Sequence, residues 1–363
     1  MTGKFRNGMT RRSMLQATIA GAGAAWAGIT FGPKAHAAAH GEEPKVNFYN
    51  WDTYIGETTL SDFENQTEIE ANMSLFADND ELFAKLREGN PGFDVIVPSD
   101  TYVARMMAAD MLEPLDYGML PNAKNINPLF TDAAYDPGRK FSVTYMWGTM
   151  GLGIRKSATD GVTSWKDVFE SDKYAGRIAI LSESTAMIGM ASMYLGTGMN
   201  PTSKADIDAA VDLLIKQKPA FKTIAEDNGQ DLLASGEVDI TIEWSGDIGQ
   251  VMLEDDDIDY VIPQEGSLIW ADNLAIPKGA PHPMNAHKFI NYILDAQAGA
   301  LIADYIQYAT PNQAARALLN DSYNKNPSIF PPEEVLAKCE WQIYSGEDVS
   351  RLKDEAWTRF LAA

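Results

Sequence analysis

The sequence predicts an α/β protein of two lobes, each built on a doubly wound sheet. Two stretches predict it. Across residues 46–111 three apolar strands alternate with three amphipathic helices, and across 177–244 a second series of strands and helices follows. Such alternation folds into a largely parallel sheet with helices on both faces. A chain of 363 residues is also long for one hydrophobic core, which makes two domains the first expectation.

The opening strand places Val46 and Phe48 on one side and breaks into a loop holding Trp51, Asp52 and Tyr54. Residues 58–66, with Leu60 and Phe63 three apart, suit a short amphipathic helix, and 69–76 the next strand. Asp78 followed by Glu81 reads as a capping box for a helix whose apolar face is Leu82, Phe83 and Leu86. The continuous apolar run 93–97 is a strand covered on both faces, closed by Pro98, Ser99, Asp100 and Thr101 before a helix over 102–111. Sheets of this kind bind ligands beyond the carboxyl ends of their strands, where Trp51 and Ser99 both fall.

Residues 114–140, rich in Pro, Asn and Asp, read as a long surface connection. The apolar stretch 145–153 carries Gly148, Gly151 and Gly153, and no dinucleotide-type helix follows it. It is a crossing strand with tight packing and not a phosphate loop. Ser164 caps a helix start. A strand over 177–181 runs into Ser182, Glu183, Ser184 and Thr185, with helices over 187–195 and 205–217 beyond. Val238, Ile240 and Ile242 then alternate with Asp239, Thr241 and Glu243, a strand with one apolar and one polar face. Strands over 260–263 and 267–276 lead back to the first lobe, one long helix spans 283–303, and a last helix covers 350–361. The acidic run 254–257 reads as a solvated turn.

The first 40 residues are a different kind of sequence. Lys4, Arg6, Arg11 and Arg12 precede a weakly apolar run over 17–31, and Ala35-His36-Ala37 offers an A-x-A cleavage site. These are the parts of an export signal cut near Ala37. Thr10-Arg11-Arg12-Ser13-Met14-Leu15 resembles a twin-arginine signal in which Met14 replaces the usual Phe. A free-standing periplasmic protein follows, since no other run approaches a membrane span and no cysteine near the cut could carry a lipid. The one cysteine, Cys339, cannot form an intramolecular disulfide. Removal of the signal takes five basic side chains and no acidic one, so 24 basic against 51 acidic residues leave a formal charge of −27. A surface this negative repels nucleic acid and anionic lipid and attracts small cations.

No catalytic arrangement emerges. Of four histidines, His36 leaves with the signal and His40 lies in the new N-terminus, while His282 and His287 are five apart, a poor spacing for a shared metal. G-x-S-x-G, H-E-x-x-H, Walker and cysteine–histidine patterns are absent. The sequence therefore calls for no cofactor, no metal and no enzyme. Trp51 and Tyr54 flanking Asp52 suit an organic cation, because aromatic faces attract cations and a carboxylate pairs with ammonium.

Eight motifs in order carry a family resemblance: Phe48-Tyr49-Asn50-Trp51-x-x-Tyr54, Phe93-Asp94-Val95-Ile96-Val97-Pro98-Ser99, Tyr145-Met146-Trp147-Gly148, Val162-Thr163-Ser164-Trp165, Trp244-Ser245-Gly246-Asp247, Trp270-Ala271-Asp272, Tyr308-Ala309-Thr310-Pro311-Asn312 and Glu340-Trp341-Gln342. With them the chain, from about Val46 to about Trp357, resembles the periplasmic spermidine/putrescine-binding proteins that feed polyamine ABC transporters. The resemblance implies a two-lobed periplasmic binding protein fold with a hinge of crossing strands. It implies one lobe over 45–147 and 271–317, the other over 148–270 and 318–363, and a polyamine closed between them. It also implies inner-membrane permease subunits as partners and a monomeric receptor. By the same resemblance Trp51, Tyr54, Trp244, Trp270 and Tyr308 wall the methylene chain, and Asp272 holds one amino group. Glu183 matches a second acid, Asp247 an acid of putrescine-type members, and Ser99 and Gln342 polar contacts.

Two departures bear on the ligand. The family's acid stands two residues after the tryptophan, where this chain has Thr53, and Asp52 lies one residue earlier. Spermidine-type members carry a further acid three residues beyond Glu183, where this chain has Ala186. Fewer acids point to a putrescine-like ligand, with spermidine close behind. Another small cationic or amino compound, and an exported enzyme, are the remaining alternatives.

Overall fold

A computed structural model describes residues 41–363; the export-signal reading of residues 1–37 lies outside the described residues. Strand β1 (Lys45–Asn50) pairs in parallel with β2 (Glu70–Leu75) on one side and β3 (Val95–Ile96) on the other. Helices α1 (Thr59–Thr67), α2 (Asn79–Arg87) and α3 (Asp100–Ala108) connect and follow these strands. The capping box forms in a variant way. Asp78 accepts the Glu81 amide at 2.7 Å, and Glu81 reaches back to the Ala77 amide at 2.8 Å. After the short β4 (Leu112–Glu113) the chain crosses in β5 (Ser142–Arg155), fourteen residues of which only the last is not buried. A side chain in place of Gly148 would put its Cβ 2.7 Å from the Trp270 ring, which is why this strand reads as glycine-rich and tightly packed.

The second series begins with α4 (Lys166–Phe169), β6 (Ile178–Leu181), α5 (Ser184–Tyr194) and α6 (Lys204–Gln217). It continues through β7 (Phe221–Ala225), α7 (Gly229–Ala234), β8 (Ile240–Trp244), α8 (Ser245–Met252) and β9 (Ile258–Val261). Here β6 pairs in parallel with β7 and β8. The long β10 (Leu268–Pro277) runs antiparallel to β5 through a register shift at Asp272/Asn273 and meets β3 at its far end. Two parallel three-strand groups are thus joined through β5 and β10, in the order β2-β1-β3-β10-β5-β8-β6-β7. Helices α9 (Pro283–Ile293) and α10 (Ala296–Ile306), the short α11 (Gln313–Arg316), α12 (Asp321–Asn324) and α13 (Glu333–Leu336), strand β11 (Glu340–Trp341) and the terminal α14 (Glu347–Ala362) complete the chain.

Three expectations are corrected. The helix over 283–303 is two helices, because Asp295 turns its carboxylate onto the Gln297 and Ala298 amides and starts a new one. The connection over 114–140 is not confined to the surface: it buries Leu120, Ile126 and Phe130, and Asp136 accepts the Phe141 and Ser142 amides. Strand β9 does not lead back to the first series but stays beside residues 152–155 of β5. The polar face of β8 is itself covered: Thr241 and Glu243 are fully buried.

Candidate functional site

Asp272 sits where the β10 register shifts, and such a bulge re-aims a side chain out of the ladder. Its carboxylate is 6% exposed and accepts the Ser99 hydroxyl at 2.7 Å. Asn79 steadies Ser99 from behind, donating to its Oγ at 2.9 Å and accepting its amide at 3.1 Å. Burial pushes the Asp272 carboxyl up to about 7, against the lowering effect of the Ser99 hydrogen bond. No salt bridge reaches it among the described residues. A buried acid faced by neutral hydroxyls and by no cation is an incomplete arrangement.

Aromatic rings supply the walls. Tyr145, Tyr54, Tyr308, Trp270 and Trp244 form a run of edge-to-face neighbours, with ring centroids 5.3, 5.2, 5.3 and 5.7 Å apart. The hydroxyl of Tyr54 and the indole nitrogen of Trp270 are buried without hydrogen-bond partners. The main chain of Tyr54 is fixed by the Asn50 amide and the Tyr145 hydroxyl, both donating to its carbonyl. Tyr308 lies over Gly246, where an added Cβ would stand 2.5 Å from the ring, so the glycine lets β8 and α8 close on the tyrosine. Trp51 stands apart from this run. Its indole donates to the Val97 carbonyl at 2.9 Å and its ring packs on Phe76.

Asp247, in the first turn of α8, faces Tyr308, and burial followed by the charge of Asp227 pushes its carboxyl up to about 8. Glu183 and Gln342 fall at a different place. They line a cavity of about 110 Å³ with Tyr102 and Arg105, and the Gln342 side-chain nitrogen is buried without a partner. Glu183 is pushed up to about 7 by burial and then by Asp80 and Asp78. The charge of Asp227 also reaches Glu183, which links this cavity electrostatically to the aromatic run. Asp52 is exposed and accepts the amide of its own neighbour Thr53 at 2.9 Å. Its charge nevertheless raises Asp227.

Sequence reasoning passed over three acids. Asp100, 2% exposed beside Asp272, is pushed up to about 8 by burial. Asp227 follows β7, a strand too short to stand out, and has the left-handed φ of 50° that marks a tight loop. Glu243, on the polar face of the alternating strand, turns inward over Gly229. The two histidines among the described residues are held by the protein: His282 faces Asp94 at 3.0 Å, and His287 accepts the Asp116 amide at 2.9 Å.

Buried acids and aromatic walls at the carboxyl ends of strands, in a two-lobed α/β fold joined by crossing strands, define a solute receptor of the periplasmic binding protein type. The chain belongs to the bacterial extracellular solute-binding protein family, whose match spans residues 58–331. It is 32% identical to the spermidine/putrescine-binding periplasmic protein of Escherichia coli K12, over 84% of this chain and 88% of that one. Identity to the putrescine-binding periplasmic protein of the same organism is 31%, over 88% and 91%. A spermidine/putrescine ABC transporter structure from Listeria monocytogenes superposes with a TM-score of 0.83 at 31% identity, covering 88% of this chain and 99% of the other.

Proposed function

We propose that the protein captures a short polyamine, putrescine-like before spermidine, and hands it to an inner-membrane ABC permease. The observation that carries the reading is Asp272: a buried carboxyl without a cationic partner, braced by Ser99 and set against the aromatic run. A polyamine brings what this arrangement lacks, charged ends and an apolar middle. Trp51, Tyr54, Trp244, Trp270 and Tyr308 take the methylenes, Asp272 and Asp247 the amino groups, and Glu183 with Gln342 the far end of a longer amine. Each cation–aromatic contact contributes about 0.5–2 kcal/mol and each hydrogen bond to a charged amine about 1.5–3 kcal/mol. A few of each, less the ordering of the ligand, reach the roughly −8 kcal/mol of micromolar binding. The lobes are residues 45–147 with 271–317 and 148–270 with 318–363, and β5 and β10 act as the hinge on which ligand favours closure. The receptor works as a monomer in the periplasm after its signal is cut near Ala37.

Titration calorimetry with putrescine, spermidine, agmatine and a basic amino acid tests the reading. Saturable heat with a diamine, stronger than with the amino acid, is the expected result. Absence of both heat and thermal shift with every amine would overturn it.

A further inference from the structure

Arg105, on α3, lines the cavity that holds Glu183 and is a cation that no amine would contact. Its guanidinium stacks over the Phe83 ring, 4.3 Å from the centroid, and donates to Asp80 at 3.2 Å. Both contacts are with α2 and hold the side chain in place on the first series of elements. Its free edge reaches α14. Nε donates to one oxygen of Glu347 at 2.9 Å and Nη2 to the other at 3.2 Å, a two-pronged pair. The Tyr344 hydroxyl donates to the same carboxylate at 2.9 Å, and Arg105 leads in holding the Glu347 carboxyl below its ordinary range. The partners stand 242 residues apart, one in the range 45–147 and the other in 318–363. No other salt bridge among the described residues joins the two proposed lobe ranges. Neither α3 nor α14 belongs to the crossing strands, so the pair ties the lobes away from the proposed hinge. The surroundings are mostly acidic. Asp78, Asp80, Glu183 and Asp354 line the same cavity, and Lys353, its other cation, forms no salt bridge. Asp354 on α14 is raised by burial and then by Asp80, and Arg105 lowers it.

We propose that Arg105 is a positioning residue for ligand retention: with Glu347 it forms a latch that fastens α14 to α3 when the lobes close. The inference rests on the lobe ranges and the amine reading given above. A guanidinium repels ammonium, so Arg105 acts on the balance between open and closed forms and not on the amine itself. Only an interaction that differs between two states shifts their balance, and this pair exists only when α3 and α14 meet. Without the guanidinium, Asp80 faces Glu347 and Asp354 as like charges, and the same surfaces push apart. Bound amine leaves through the open form, so the latch slows release. Capture starts from the open form and is left nearly unchanged. The latch touches no ligand atom, so it acts equally on short and long amines, whereas Glu183 acts on length.

The test is stopped-flow release of putrescine and spermidine from the mature chain as wild type, Arg105→Gln, Glu347→Gln and the double variant. Each single change is expected to speed release of both amines about three- to tenfold, with capture changed less than about twofold. The double variant should match the faster single one, because the two side chains act as a pair. Glu347 is 65% exposed, so salt screens the pair, and high ionic strength should narrow the gap between wild type and Glu347→Gln. A merely structural role would not give that salt dependence. The exposure of Glu347 also keeps the test alive if Arg105→Gln, which loses its packing on Phe83, fails to fold. Release from Glu347→Gln at the wild-type rate, or single effects that add in the double variant, overturns the latch. If no amine binds, the amine reading fails and small-angle scattering of the ligand-free chain decides. A larger radius of gyration in Glu347→Gln than in wild type then supports the latch, and equal radii overturn it.

Discussion

The Asp272 end and the Glu183 end of the site are built on different principles. At the first, the acid sits on β10, is braced by Ser99 and Asn79, and is surrounded by rings whose positions are fixed by the sheet. At the second, Glu183 stands at the entrance to α5, Gln342 lies beyond β11, and the two line an open cavity. Its acid is raised by burial and then by neighbours on the first series of elements, Asp80 and Asp78, and no side-chain hydrogen bond holds it down. Under the proposed function the first end is pre-organised and sets affinity, whereas the second is adaptable and sets which length of amine is taken.

Acidity gives the largest test of that contrast. With Asp272 and Glu183 pushed up to about 7 and Asp247 up to about 8, protons compete with the amine below neutrality. Alkyl ammonium groups stay charged throughout, with pKa values near about 10. Lowering the pH from 8 to 5.5 weakens amine binding by about tenfold per unit below 7 for each acid that must ionise. Stability of the ligand-free protein moves the opposite way. These carboxyls hold their protons more tightly folded than unfolded, so stability is greatest below about pH 4 from this source and declines as pH rises towards 7–8. Melting curves of free and putrescine-loaded protein between pH 5 and 8 check both statements. A ligand-induced shift that fails to grow with pH would show that the acids bind amine already ionised.

Next in size is the difference between two isosteric substitutions. Asp272→Asn removes the one acid that is braced and buried, and the lost charge-assisted hydrogen bonds, about 1.5–3 kcal/mol, weaken putrescine and spermidine alike by roughly 10- to 150-fold. Glu183→Gln is expected to weaken spermidine by about 3- to 10-fold, since Glu183 is half-buried beside an open cavity and its pairing is partly screened. Putrescine should change less than twofold. Equal losses for both amines in Glu183→Gln would mean that a short diamine spans the whole site, and the preference for putrescine would lose its basis.

How much of this was legible depends on whether the cause is local. The β1 strand and the Trp51–Tyr54 loop, the Asp78 cap and the glycines of β5 could be read because neighbours in sequence decide them. The break between α9 and α10 was hidden, since the apolar face of α9 continues into α10 and periodicity alone does not register the Asp295 cap. The burial of Glu243 was hidden for a deeper reason. Alternation says which residues share a face, but α7 packing over that face decides whether it is wet, and nothing in residues 237–244 reports it. Asp227 escaped because its only local sign is a left-handed backbone in a loop that follows a five-residue strand.

The smallest expected effect concerns Asp52, which the sequence sets between two aromatic walls like a natural partner for ammonium. In the structure the side chain is exposed and turns to its own neighbour, the Thr53 amide, while Thr53 adopts a φ of 50°. An exposed carboxylate acting across solvent contributes about 0–1 kcal/mol, so Asp52→Asn should weaken putrescine less than about fivefold. Even that loss is partly offset, because the Asp52 charge raises Asp227 and its removal makes Asp227 easier to ionise. The two consequences oppose each other: one long-range attraction for the amine disappears, and a nearer acid ionises at lower pH. Measuring putrescine affinity of Asp52→Asn at pH 6 and at pH 8 separates them. A variant that loses affinity at pH 8 but recovers part of it at pH 6 acts through Asp227, whereas a loss as large as that of Asp272→Asn at both would place Asp52 on the ligand itself.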